Sequence, residues 1–86
     1  MGAILAPTFE ERLQSNPTQQ VDVIVRTVDD PRKRVSQVAA HGLSVRHTYS
    51  LINALAATGS GASVLQLADE SWVENIEPDE EVRTMD

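Results

Sequence analysis

The hydrophobic and polar positions change their period several times along the chain, and each change predicts a new secondary-structure element. Residues 21–28 are almost all β-branched, and Val21, Val23 and Val25 share one side of an extended chain. Alternation of this kind is typical of a strand with one face in the core. The sequence therefore predicts a first strand here.

A helix is predicted directly after this strand. Asp29-Asp30-Pro31 offers an N-cap aspartate and a proline at the first helical position. The helix is expected to run to about His41, where Gly42 supplies a left-handed stop. Its buried stripe is predicted at i, i+3 and i+4, by Val35, Val38 and Ala39.

Residues 43–50 alternate again and predict a second strand. A tight turn is expected near Leu51-Ile52, followed by a third strand over about 53–58. The alternation places three residues on each side: Val45, His47 and Tyr49 on one face, and Arg46, Thr48 and Ser50 on the other.

A second helix and a fourth strand complete the pattern. Ser60 can cap a helix over about 62–70, and residues 72–76 read as a strand that Pro78 stops. The helix has an apolar stripe at i, i+3 and i+4: Val64, Leu67 and Ala68. The order βαββαβ with short loops predicts an α+β, ferredoxin-like fold with two helices on one face of a four-stranded antiparallel sheet.

The N-terminal segment, residues 1–19, is interpreted as an arm outside the main core. Thr8-Phe9-Glu10-Glu11 matches a capping box and predicts a short helix to about Gln14, which Asn16-Pro17 then breaks. The domain proper is assigned to residues 20–79, and residues 80–86 to an extended tail.

Composition and charge narrow the function. The chain has 86 residues, no cysteine and three aromatic residues. Disulfide, thiol and cysteine-zinc chemistry are thereby excluded, and a base-stacking platform is disfavoured. The net charge of −6 is concentrated in residues 69–86, which hold eight acids and one base. We expect no nucleic-acid partner from this charge and no membrane partner, since no apolar run reaches a span.

Candidate catalytic and binding motifs are weak. Gly59-Ser60-Gly61 could cradle an anion, but neither a dinucleotide nor a P-loop signature follows it, so a loop and helix cap is preferred. His41 and His47 have no organised third ligand. The basic cluster 32–34 is interpreted as a solvated helix face. We therefore expect no enzyme activity, no metal and no cofactor.

Four segments in order resemble the prodomains of subtilisin-like serine proteases and the free-standing inhibitors related to them. The similarity covers 21–85. It rests on the strand 23–25, on Tyr49 followed by 52–57, on Val64-x-x-Leu67 with Trp72-Val73 after it, and on 73–79 with its acidic end. Ala54 stands where the family usually has glycine.

The resemblance implies a mode of docking. Such prodomains place the helix-free face of the sheet on two parallel surface helices of the protease, and acids after the last strand cap the N-termini of those helices. The matching acids are Glu77 and Asp79. An acid at a helix N-terminus accepts unpaired N–H groups and complements the helix dipole.

The resemblance also implies that the tail enters the protease cleft as an added strand. Aligned on the family pattern, Val82 stands fourth before the scissile bond and Met85 immediately before it, with Arg83 and Thr84 between them. Shifting the alignment by one residue would place Arg83 and Asp86 in apolar pockets, which costs desolvation of both charges.

The expected function is inhibition of a subtilisin-like serine protease in a product-like manner, with a folding-chaperone role as a further implication. Because no catalytic domain follows, a separate inhibitor, monomeric when free, is expected, and a native start at Met1 without a signal peptide would make it cytoplasmic. The alternative is a non-inhibitory ferredoxin-like interaction or sensing module that dimerises through its open sheet face. An acyl-phosphate hydrolase is disfavoured, because the loop before the first helix lacks arginine.

Overall fold

The computed structural model describes residues 5–49 and 51–79. These residues form three α-helices, one 3₁₀ turn and four strands. In chain order the elements are α1 (Pro7–Ser15), β1 (Gln20–Thr27), the 3₁₀ turn (Pro31–Arg34), α2 (Val35–Ala40), β2 (Ser44–Tyr49), β3 (Ala54–Ser60), α3 (Gly61–Leu67) and β4 (Val73–Pro78).

The four strands form one antiparallel sheet in the order β2-β3-β1-β4. Consecutive strands are not all neighbours, because β1 lies between β3 and β4, as two split β-α-β units require. The prediction of an α+β, ferredoxin-like fold is confirmed.

The core lies on one face of this sheet. Val23 pairs with Ala57 and Val25 with Leu55 across the β1–β3 ladder, and Val25 faces Ile76 on the other side. All five side chains are buried, and residues from all three helices pack on them. The β-branched alternation that predicts β1 is therefore the pattern that fixes its inner face.

The prediction that the N-terminal arm lies outside the core is wrong. Phe9 and Leu13 of α1 are 4% and 1% exposed and belong to the same core as the sheet valines. The predicted capping box is also wrong, since the N-cap is Ala6, without a side-chain cap, and Pro7 opens the helix. The short helix itself is confirmed.

The α1 helix reaches the core because Gly61 has no side chain. A Cβ added at Gly61 would lie 2.9 Å from the carbonyl oxygens of both Leu13 and Asn16. The end of α1 therefore packs directly on the beginning of α3. The loop after α1 also caps α3, because Pro17 and Gln19 carbonyls accept bonds from the first two amides of that helix.

The predicted helix 31–41 is shorter than expected and begins as the 3₁₀ turn. Asp30 is the N-cap and accepts a bond from the Arg32 amide, as the sequence predicts. The glycine stop is also confirmed, with a φ of +92° at Gly42. The predicted stripe is only partly correct: Val38 is buried and Val35 half-buried, but Ala39 is exposed, because α2 has fewer than two turns facing the sheet.

Strand β2 differs from the prediction in the direction of its side chains. Val45 lies opposite Ala57 and His47 lies opposite Ala56, so Arg46 is an extra residue in a β-bulge. The bulge turns His47 and Tyr49 to the face opposite Val45. The predicted sharing of one face by these three residues is therefore wrong.

The second half of the fold follows the prediction, except that α3 ends at Leu67, three residues before the predicted end, and β4 runs to Pro78 rather than to Ile76. The turn falls at Leu51-Ile52, and Asn53 adopts a φ of +50° before β3 begins. Ser60 caps α3 by accepting a bond from the Ser63 amide. The predicted stripe of α3, Val64, Leu67 and Ala68, is buried. Pro78 ends β4 at the sheet edge, where its missing N–H breaks no ladder bond.

Candidate protein-docking face

The sheet face opposite the core carries no helix among the described residues, and we call it the open face. Residues directly opposite each other in a ladder share a face, so the register assigns it. Asp22, Ile24 and Arg26 of β1 alternate with the buried valines and therefore point to the open face. Their ladder partners and those partners' neighbours complete it: Ala54, Ala56, Thr58, Asn75, Glu77, Ser44, His47 and Tyr49.

The middle of the open face is flat and apolar. Ala54 and Ala56 are small and buried by their neighbours, and Ile24 beside Ala56 is half-buried. On the β2 side the rings of His47 and Tyr49 meet edge to face, with centroids 4.5 Å apart. Because both alanines are covered, the accessible surface here belongs to Ile24 and to the exposed His47 and Tyr49.

One end of the open face is polar. There Thr58 Oγ1 donates to Asp22 Oδ1 over 2.6 Å, and Asp79 N–H donates to the Asp22 carbonyl over 2.9 Å. Arg46 Nη2 donates to Asp79 Oδ2 over 2.7 Å. This hydrogen bond to Asp79 is the main cause of a raised pKa at Arg46, which keeps the guanidinium charged. We call these four residues the polar row.

The two acids that the resemblance singles out differ in their surroundings. Glu77 lies opposite Ile24 and is exposed, and no described residue forms a hydrogen bond or ion pair with its carboxylate. Asp79 is half-buried, and its carboxylate pairs with Arg46. The structure thus brings both acids to the edge of the open face, near the end of β4. Val82, Arg83, Thr84 and Met85, assigned to the protease cleft, lie outside the described residues.

The glycine-containing loop before α3 leads into a helix whose first three amides are already bonded to protein acceptors, so they are not available to an anion. The Gly61 and Ala62 amides donate to the Gln19 and Pro17 carbonyls, and the Ser63 amide donates to Ser60 Oγ. These are the amides that an anion at this helix end would need. The loop-and-cap interpretation is confirmed.

Other charged groups pair locally on the helix side. His41 Nε2 lies 2.7 Å from Glu70 Oε2 and joins the end of α2 to the loop before β4. In the basic cluster, Arg32 pairs with Asp30 and Arg34 with Asp29, each over 2.8 Å. Within the described ranges no group of three or more histidines and acids could hold a metal ion.

Two features of this face are not evident from the sequence. His47 and Tyr49 join it only because of the bulge at Arg46, and no residue pattern in β2 marks that bulge. The tip of the β2–β3 hairpin is apolar and exposed, with Leu51 at 99% and Ile52 at 53%. The apolar run 51–57 holds that signal, because its first two residues fall in a predicted turn rather than in a strand.

Two comparisons of the sequence with known proteins identify no relative. A scan against models of protein families finds no match, and a search of curated protein sequences finds no significant similarity. None of the helices in the described part of the chain is both long and apolar enough to cross a bilayer.

Proposed function

We propose that this protein inhibits a subtilisin-like serine protease by docking its open face on the protease surface and placing its C-terminal tail in the active-site cleft. The observation that carries the proposal is the helix-free face with Glu77 exposed at its edge, on the strand that leads into the tail. The residue pattern of the prodomain family supports the same interpretation.

The chemistry of the open face suits helices as its partner. The half-buried Ile24 and the exposed Tyr49 give apolar surface on which apolar helix side chains can pack. A helix N-terminus presents unpaired N–H groups and a partial positive charge. The exposed Glu77 carboxylate is bonded to no described residue, so it can accept those bonds.

The tail supplies the inhibitory segment in this proposal. Val82 would occupy an apolar pocket and Met85 the primary specificity pocket, while the main chain of 82–85 pairs with the walls of the cleft. Because the docked sheet fixes one end of the tail, the second contact forms at a high effective concentration. A folding-chaperone role would use the same docked face.

An inhibition assay tests this proposal. We expect the intact chain to inhibit a subtilisin with a constant below the micromolar range, and a chain without 82–86 to inhibit much more weakly. Glu77→Gln should weaken binding about fivefold, since a helix N-cap contributes about 1 kcal/mol. Glu11→Gln is the matched control on α1, on the other side of the sheet, and should leave binding unchanged. Failure of both chain lengths to inhibit at micromolar concentration would refute the proposal for that protease class.

A dimerising interaction module is the second candidate function. Tyr49 on the open face and Ile52 at the hairpin tip are exposed apolar side chains, and they favour contact with another protein surface. Sizing chromatography separates the two candidates. A stable dimer that persists after removal of residues 82–86 would support the module, whereas the inhibitor proposal expects a monomer.

A further inference from the structure

The salt bridge between Arg46 and Asp79 spans the sheet from one edge strand to the other. Arg46 belongs to β2 and Asp79 follows β4, and β3 and β1 lie between them. The guanidinium crosses the open face beside Thr58 and Asp22, whose side chains hydrogen-bond to each other. A contact between two edge strands is formed only by the folded sheet.

Strand alternation directs Arg46 to the open face, because the preceding Val45 faces the core opposite Ala57. The β-bulge at Arg46 adds His47 to the same face. Because Arg46 and His47 are together opposite Ala56, both side chains are directed to the open face. Arg46 therefore lies on the open face beside His47 and reaches Asp79 past the end of β4.

Asp79 is the last described residue before the tail. Its amide is bonded to the Asp22 carbonyl, and its carboxylate to Arg46. Two independent bonds therefore hold the point from which residues 80–86 depart. One bond is a ladder bond, and the other is a charge-assisted bond from a planar guanidinium.

The pairing also distinguishes Asp79 from Glu77. A carboxylate already neutralised by a guanidinium complements a helix dipole poorly, because the arginine charge faces the same positive helix end. Glu77 has no such partner among the described residues. The electrostatic part of helix capping is therefore concentrated on Glu77.

We propose that Arg46 is a positioning residue that holds Asp79 and thereby sets the position from which the inhibitory tail departs. The inference rests on the proposed inhibitory function for its effect on binding, but the Arg46–Asp79 contact acts in the free chain as well. It assigns Asp79 mainly to anchoring the tail and Glu77 to contact with the protease.

Hydrogen exchange in the free full-length chain tests the anchoring. In Arg46→Gln we expect exchange of the Asp79 amide to increase about twofold to fivefold, as for loss of a half-exposed ion pair. Exchange at Val23 and Val25 should stay unchanged, since a general loss of stability would accelerate these core amides as well. Arg46→Lys keeps the charge and should restore part of the protection. An unchanged Asp79 amide, or equal acceleration in the core, would overturn the proposal.

A double-mutant cycle on inhibition tests the consequence for binding. Arg46→Gln and Asp79→Asn should each weaken inhibition about twofold to fivefold, and the double variant should be no weaker than either one. Combined with Glu77→Gln, Arg46→Gln should instead act additively. Additive effects of Arg46 and Asp79, or tighter inhibition in Arg46→Gln, would refute positioning. If the wild-type chain does not inhibit at all, the inhibitor proposal fails while the exchange experiment still decides the role of Arg46.

Discussion

The guanidinium carbon of Arg34 lies 5.1 Å from the centroid of the Trp72 ring. Arg34 also donates from Nε and Nη2 to the two carboxylate oxygens of Asp29, over 3.2 and 2.8 Å. The bidentate pair holds the planar group over the indole face, where a cation–π contact is favourable. Trp72 is 5% exposed. Arg34 thus packs on the indole ring and joins the 3₁₀ turn to the residue just before β4.

Replacing Arg34 should destabilise the domain and change the fluorescence of Trp72, its single tryptophan. We expect Arg34→Gln to lower the free energy of unfolding by about 1 kcal/mol through the lost contact with Trp72. Urea unfolding followed by tryptophan fluorescence measures both effects. Arg32→Gln is the matched control, because Arg32 pairs with Asp30 and lies at the exposed side of the same turn. Equal effects of the two substitutions would contradict a specific role for the Trp72 contact.

The burial of α1 predicts a large effect of shortening Leu13. Leu13→Ala should cost about 2 to 5 kcal/mol, because it leaves a cavity between α1 and the sheet. Leu51→Ala is the same chemical change at a residue that is 99% exposed, and should leave the unfolding midpoint almost unchanged. Thermal or urea unfolding of both variants measures the two losses of stability. A small loss in Leu13→Ala would mean that α1 does not pack as part of the core.

A methyl group at Gly61 should separate α1 from α3. The added Cβ of Gly61→Ala would meet two backbone carbonyl oxygens at 2.9 Å, and backbone cannot move aside as a flexible side chain can. We expect a loss of about 1 to 3 kcal/mol, as for other overpacked sites. Ala62→Ser, one residue further along α3, is a suitable control. Full stability in Gly61→Ala, measured by urea unfolding, would show that the two elements are not in direct backbone contact.

The acids before the 3₁₀ turn predict a pH dependence of stability. Hydrogen bonds from Arg34 hold the pKa of Asp29 below its ordinary value of 3.8, and the side chain and amide of Arg32 lower the pKa of Asp30. A lowered folded-state pKa stabilises the fold above the unfolded pKa, and this stability is lost as pH falls through the folded pKa.

The double variant Asp29→Asn/Asp30→Asn measures this contribution. Asparagine at position 30 keeps the N-cap, so the comparison isolates the charges. The variant should be less stable than the wild type at about pH 6. The difference should shrink as the pH falls below the ordinary carboxyl value of 3.8 and through the lowered folded-state pKa values. Glu11→Gln controls for the removal of an exposed negative charge. A difference that stays constant across this range of pH would refute the assignment.

The sequence predicts the ends of an element well where the end depends on only a few neighbouring residues. Ser60 caps α3 and Asp30 caps the 3₁₀ turn, because an N-cap needs only a side-chain oxygen and the amides two or three residues later. Gly42 ends the α2 region for the same kind of reason, a backbone angle at one residue. The exposure of Ala39 depends instead on how α2 sits on the sheet, which is a tertiary contact.

The sequence predicted only part of the candidate site. The resemblance singled out Glu77 and Asp79, and the structure places both at the edge of the open face. The partner of Asp79 could not be predicted, because Arg46 lies 33 residues earlier in the chain and reaches it only across the folded sheet, from the opposite edge strand. The cleft residues 82–85 remain a prediction from the family pattern.

The sequence by itself determined the strand and helix order and the inner face of β1, since alternating valines can bury only one side of a strand. It also determined where the acidity lies. Tertiary structure decided that α1 joins the core, because a glycine in a later helix leaves room for its backbone. It also decided which side chains of β2 face outward. A bulge is a property of two paired strands, and the bond from Arg46 to Asp79 exists only when four strands have closed into one sheet.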